Sequence, residues 1–169
     1  MSQELHPRIA GEPVTIRPIR IDDLELEQDF IRRLSPAAKH YRFLGGVSEL
    51  SPRELRRLCE VDGKNSMAFV ATVLQNGSEV EIGVARYSPA VGSNTREIAV
   101  TVSDEWQHRG LGIMLVKQLI ETAKLNGIRH LYSMDLADNG AMAALAKDLG
   151  MASMRDPSDP HQVIYYLTL

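Results

Sequence analysis

A single cysteine, Cys59, stands in this chain of 169 residues. No disulfide can therefore close within it, and no cysteine cluster can hold a metal. That fits a reducing compartment, and a cytoplasmic location is expected. His40, His130 and His161 have no ligand-like spacing, so no metal site is expected. Apolar runs are too short to span a bilayer. Residues 1–13 are polar, with Glu4, Arg8 and Glu12, and lack the apolar core of a signal peptide. They read as a flexible tail ahead of one domain over residues 14–169. The net charge of -3 gives no general attraction to nucleic acid, and neither nucleic acid nor membrane is an expected partner. A homodimer is left open. Internal repeats and low-complexity tracts are missing too. With 44% hydrophobic and 24% charged residues, the composition is that of a folded domain with a sizeable core.

Alternating and helical patterns supply the rest. Val14-Thr15-Ile16-Arg17 reads as a strand stopped by Pro18. Asp22 and Asp23 precede an apolar helix pattern through Leu24, Phe30 and Leu34. Ser35-Pro36 begins a new segment that runs through Tyr41, Arg42 and Phe43 to a break at Gly45-Gly46. Ser51-Pro52-Arg53-Glu54 is a helix start, with a serine cap, a proline in the first position and a glutamate able to reach back. Residues 67–74 and 80–87 read as strands joined by an Asn76-Gly77 hairpin turn. Further strands are expected over 96–102, 128–136 and 162–169. Helices are expected after Gly112, closed by Asn126-Gly127, and after Asp138-Asn139-Gly140. Residues 155–160 read as a polar loop. The fold class is α/β: a mixed, mainly antiparallel central sheet of about six or seven strands with about four helices.

One stretch organises the rest. Gln107-His108-Arg109-Gly110-Leu111-Gly112 joins a strand to a helix that is apolar on two faces. Amides of a helix's first turn lack partners within the helix, and its dipole is positive there. Glycine lets backbone approach a ligand closely. His108 and Arg109 would oppose that dipole unless an anion lies between; the alternative is two solvated loop charges. A dinucleotide-binding loop would need a third glycine where Leu115 stands, and would come near the start of a parallel fold. A P-loop would need Gly-Lys-Ser/Thr, which does not follow.

Gln-x-x-Gly-x-Gly after an apolar strand resembles motif A of the GCN5-related N-acetyltransferases (GNAT). The Asn139-started helix ending in Gly150-Met151 is similar to that family's later helix, and the element order matches from Val14 to Leu169. The segments Ile16-Arg17-Pro18-Ile19-Arg20, Arg33-Leu34-Ser35-Pro36, Tyr41-Arg42-Phe43 and Asp104-Glu105-Trp106-Gln107 resemble the acetyltransferase domain of bacterial protein-lysine acetyltransferases that modify acyl-CoA synthetases. There the domain is often fused to a larger region.

The resemblance implies that acetyl-CoA is the co-substrate, lying in a splay between the strands of Val100 and Tyr132. Backbone of Val100, Thr101 and Val102 would pair with the pantetheine. Gln107, His108, Arg109, Gly110, Leu111 and Gly112 would hold the pyrophosphate. Asn139 would touch the pantetheine or cap its own helix. An attacking lysine, whose ammonium ordinarily titrates near about 10.4, must lose a proton. Glu97 matches the family's glutamate base. Alternation places it with Ala99 and Thr101, opposite Ile98, Val100 and Val102, and partial desolvation would make it a stronger base. The alternative is a surface ion pair with Arg96 or Arg86. The tyrosine that many relatives carry seven residues after the asparagine is Ala146 here, so the usual acid for the leaving thiolate is missing. Tyr132, Ser133 or water could serve instead. The expected activity is direct acetyl transfer to an amine, a protein lysine ahead of a small-molecule amine; a non-catalytic acyl-CoA sensor is the rival from another class.

Overall fold

The computed structural model describes residues 4–44 and 49–169; the Gly45-Gly46 break lies outside them. Local chemistry explains most element boundaries. A short hairpin, β1 (Arg8–Ile9) and β2 (Glu12–Pro13), leads into β3 (Thr15–Pro18). A 3-10 turn opens helix α1 (Leu24–Arg33), followed by α2 (Pro36–Arg42) and α3 (Pro52–Cys59). The Ser35 hydroxyl accepts from the Ala38 amide at 3.1 Å, and Pro36 sits in the first turn. Ser51 and Glu54 form a reciprocal cap at 3.2 and 2.8 Å, as their spacing predicts. Then come β4 (Met67–Gln75), β5 (Ser78–Pro89), β6 (Thr95–Val102), α4 (Leu111–Leu125), β7 (His130–Leu136), α5 (Gly140–Asp148), β8 (Ala152–Asp156) and β9 (Asp159–Thr168). Asn76 and Gly77 both have positive φ, 52° and 79°, which makes the tight β4–β5 hairpin.

The main sheet has seven strands in the order β3-β4-β5-β6-β7-β9-β8. Among the described pairings only β6 with β7 is parallel. The fold is thus mixed and mostly antiparallel, as expected, with five helices where about four were expected. The additional one is α2, whose serine cap and proline start mark only a new segment in the sequence.

Two expectations need correction. Residues 4–13 are not a loose tail: Leu5 exchanges backbone bonds with Ile16 at 2.8 and 2.9 Å, and Ile9 is buried in the core. The polar spacing hid this, because a single apolar side chain on a two-residue strand has no periodicity to read. The polar loop of residues 155–160 is a hairpin joining β8 to β9. β8 is almost wholly exposed, so it lacks the alternation that marks a half-buried strand.

Each sheet face has its own core. On one, α4 packs Leu111, Leu115 and Leu119 against Ile16, Phe69, Ile98 and Leu131. On the other, α1 and α3 pack Phe30, Ile31, Leu55 and Cys59 against Ala68, Val70 and Val84. Burial pushes the Cys59 thiol up to about 11, helped by the nearby Glu27 charge; the thiol is a core group, as its helical pattern indicates.

Charge is also buried beside α1. Arg17 of β3 donates two bonds of 2.8 Å to Asp23 and one of 2.5 Å to Glu79. Burial alone would raise the Asp23 carboxyl, but Arg17 and the Arg20 amide outweigh it and hold it below its usual range. A depressed carboxylate stabilises the fold above its unfolded pKa, and that stabilisation fades as pH falls through the folded value. Asp23→Asn should therefore cost on the order of 3 kcal/mol at neutral pH, since it leaves the buried Arg17 guanidinium with only the half-exposed Glu79 as a charged partner. The cost should shrink below about pH 4, as read by denaturant melts at both pH values.

Candidate active site

β6 and β7 run side by side only briefly. Their register pairs Thr95 with His130, Arg96 with Leu131 and Glu97 with Tyr132, and then ends. Beyond Glu97 the strands part, while β6 stays bonded to β5 through Val102. The Ser103 amide donates to the Ile82 carbonyl at 2.9 Å, which fixes the antiparallel alternation along β6. It turns the backbone of Thr101 toward β5 and that of Val100 and Val102 toward the gap. A strand edge facing a gap, here at Val100, is a template for an extended partner.

The loop after β6 closes the end of this gap. Trp106 is buried and anchors a 3-10 turn over Asp104–Trp106. Gln107 turns back and donates from Nε2 to the Val102 carbonyl at 3.0 Å. His108 has φ of 60°, uncommon for a residue with a Cβ, and Gly110 has φ of 86°. Gly110 is the cap position of α4, no side chain caps the helix, and its first turn holds no acid. The amides that begin α4 are thus presented to the gap with the positive end of the helix dipole behind them. A Cβ on Gly110 would meet nothing within 4 Å; its backbone angle, and not crowding, is what asks for glycine.

A cleft of about 620 Å³ occupies the gap. Of the residues expected to hold the donor, Val100, Thr101, Val102, Gln107, His108, Gly110, Leu111, Gly112 and Asn139 all line it. Arg109 is not in its wall: its guanidinium lies over the Trp106 ring, 5.1 Å from the centroid. Asn139 lines the cleft and also caps α5, its Oδ1 accepting from the Met142 amide at 3.1 Å. Asn139→Ala should cost about 1 kcal/mol of stability from the cap alone. A donor contact would show as an additional rise in KM for acetyl-CoA.

Glu97 sits at the foot of the gap, on the sheet face that α2 covers, and it is exposed, not desolvated. Neither arginine takes it as an ion-pair partner. Arg86 donates to Glu27 at 3.0 Å, and Arg96 donates to Asn65 and to carbonyls of Ser93 and Thr95. Instead the Tyr132 hydroxyl donates to Glu97 Oε2 at 3.1 Å. Burial, then the Glu97 charge and this bond, push the Tyr132 phenol up. Arg42 of α2 lines the same cleft. Loss of solvent and Arg86 push it down to about 10, against the pull of Glu27 and Glu97, so it is cationic at neutral pH.

Sequence reasoning missed one group in the wall. Asp135 of β7 lines the cleft and accepts from the buried Ser133 hydroxyl at 2.5 Å. Its position in a strand of mixed character offered no spacing signal. Ala146 lies in a small cluster with Met142 and Tyr165. Among the described residues no group of three or more His, Cys, Asp or Glu could hold a metal, and no helix is long and apolar enough to cross a membrane.

Glu97 and Tyr132 are not in the cleft wall; the cleft itself, with uncapped helix amides and the Val100 strand edge in its lining, fits an anionic thioester donor. Known proteins agree in sequence and in fold. The acetyltransferase (GNAT) domain profile matches residues 14–152. An acetyltransferase of Pseudomonas aeruginosa is 46% identical over 159 residues, covering 94% of this chain and 86% of that protein. Acetyltransferase Pat of Mycolicibacterium smegmatis is 29% identical over 86% of this chain, and the match spans 43% of that longer protein. The crystal structure of the GNAT domain of S. lividans PAT superposes with a TM-score of 0.88, covering 98% of this chain and 97% of that one, at 26% identity. Sequence and fold agree: the chain belongs to the GNAT acetyltransferase family and is an acyltransferase.

Proposed function

We propose that this chain transfers acetyl from acetyl-CoA to an amine by direct attack in a ternary complex, and that the amine is a lysine of a folded protein. The observation that carries the reading is the parting of β6 from β7 just past the Glu97–Tyr132 pair, beside the uncapped start of α4. The α4 amides and dipole suit the pyrophosphate. Gly110 and Gly112 keep side chains out of its way. The exposed edge at Val100 suits the amides of the pantetheine arm. Glu97 takes the proton from the amine, and the Tyr132 hydroxyl orients its carboxylate. The Val100 region of the backbone suits polarisation of the thioester carbonyl.

Exposure of Glu97 favours a macromolecular acceptor. A small amine gains affinity only by being enclosed, whereas a lysine on a protein surface brings its own docking area and needs only an open mouth. Tyr41 and Arg42 stand in the cleft wall on that side. Thiol release from acetyl-CoA, measured with a panel of free amines and a panel of folded proteins, tests this. Faster release with proteins, with acetyl-lysine found by mass spectrometry, is the expected result. Faster turnover of a free amine than of every protein would overturn the lysine assignment while leaving acetyl transfer intact.

A further inference from the structure

Two carboxyl groups flank the point where β6 and β7 separate, and they lie on opposite faces of the sheet. Glu97 and Tyr132 are register partners in a parallel pair, so they share a face, the one covered by α2. Alternation along β7 places Leu131, Ser133 and Asp135 on the other, where Leu131 packs in the α4 core. Asp135 is two residues beyond Ser133, yet the 2.5 Å bond to the Ser133 hydroxyl turns its carboxyl back toward the foot of the gap. That foot is where a thioester must sit if the amine is to be reached by Glu97. It lies on the side of α4 and α5, from which the donor enters.

We infer that Asp135 is the acid that protonates the leaving sulfur, in the place of the side chain that Ala146 does not provide. The inference rests on the acetyl-transfer reading above. Ala146 is 2% exposed, in contact with Met142 and Tyr165, and offers no proton. Among the cleft-lining residues that belong to β6 and β7, Asp135 alone titrates. Burial pushes its carboxyl above the usual range; the Ser133 bond pulls it down and the Glu97 charge pushes it up again. Tyr165 of β9 neighbours it, and burial, then the Asp135 charge, raise that phenol. The other titratable groups in the cleft wall are Tyr41 and Arg42 on α2, Asp104 and His108 in the loop, and Asp148 at the end of α5. Two carboxyls in unlike surroundings, Asp135 half-buried and Glu97 exposed, suit opposite roles.

The proton balance closes. Glu97 takes one proton from the ammonium form of the lysine and later gives it to solvent, so the carboxylate is restored. The free amine attacks the thioester carbon, a C–N bond forms and the C–S bond breaks. The pair of electrons from that bond stays on sulfur, which takes a proton from the Asp135 carboxyl. The amide nitrogen sheds its extra proton to water, and Asp135 is reprotonated from solvent. The net products are an acetylated lysine, a free thiol and one released proton.

Asp135→Asn keeps the shape and a partner for Ser133, so it should fold and bind acetyl-CoA as the parent does. Its kcat should fall on the order of 10²-fold, the lower range for acid catalysis. The alkaline limb of kcat against pH should vanish. Ser133→Ala removes a bond that lowers Asp135, so it should move that limb to higher pH, which a merely structural role would not do. With an acetyl thioester of an aryl thiol, whose thiolate needs no proton to leave, the Asp135→Asn loss should largely disappear. Unchanged kcat and an unchanged alkaline limb in Asp135→Asn would overturn the inference. A parent that transfers no acetyl to any amine would instead overturn the reading beneath it.

Discussion

Glu97→Gln should lower kcat by about 10²- to 10⁴-fold while acetyl-CoA binding stays as in the parent. The side chain sits where β6 and β7 stop pairing, on the face away from the donor. Its hydrogen-bond partner among the described residues is the Tyr132 hydroxyl. Glutamine keeps the length of the side chain and can still accept from that hydroxyl, so neither the sheet nor the cleft should change. What is lost is the ability to take a proton from an ammonium group, without which the amine is mostly unreactive at neutral pH. Stopped-flow or steady-state thiol release with a protein acceptor gives kcat, and calorimetry gives donor affinity. A variant as fast as the parent would remove Glu97 from the chemistry. A variant that loses donor binding would move Glu97 to the donor site. Tyr132→Phe should give a smaller loss in the same direction, because the carboxylate survives but is no longer oriented.

Gly110→Asp should weaken coenzyme A binding on the order of 10²-fold, while Gly110→Asn should keep most of it. Position 110 has φ of 86°, and Asn and Asp tolerate this region better than other residues with a Cβ. Space is available, since a Cβ there meets nothing within 4 Å. The two variants therefore carry similar backbone strain and differ in charge. A carboxylate about 5 Å from one phosphate charge costs on the order of 3 kcal/mol at an effective dielectric constant of about 20, which is on the order of a 10²-fold loss. Gly112 offers a second arm. A Cβ there would lie 3.8 Å from Val102 and 3.9 Å from Leu145, an ordinary contact. Gly112→Ala should thus be as stable as the parent or gain up to about 1 kcal/mol of helix propensity. It should still bind donor less tightly, because its methyl enters the cleft wall. Equal affinity in Gly110→Asp and Gly110→Asn would show that no anion lies against this helix start.

Much of the cleft wall was legible because its signals are local. The Gly110 angle, the uncapped helix and the strand before it are all properties of neighbouring residues, and the spacing of Gln107, Gly110 and Gly112 announces them. The cap at Ser51 and the Asn76-Gly77 turn are local in the same way. The pairing of Glu97 with Tyr132 was not readable, because it depends on the parallel register of two strands separated by a whole helix. Periodicity placed Glu97 on the correct face yet said nothing of its exposure. Arg109 belongs with its neighbours by position in the loop, but its side chain finds the Trp106 ring instead. Asp135 was missed for the same reason that Glu97 had no visible partner: its meaning comes from where β6 departs from β7. Buried Ile9 and exposed β8 show the two ways a short strand escapes periodicity, by having one apolar residue inside or by having no buried face.

The central claim is that the gap between β6 and β7, closed by the start of α4, holds acetyl-CoA. A titration of the isotopically labelled chain with acetyl-CoA, followed through its backbone amide resonances, tests it most directly. Saturable one-to-one binding is predicted, with the largest shifts at the amides of Leu111, Gly112 and Ile113 and at Val100. No saturable binding, or saturation with the largest shifts on the α1 and α3 face, would contradict it.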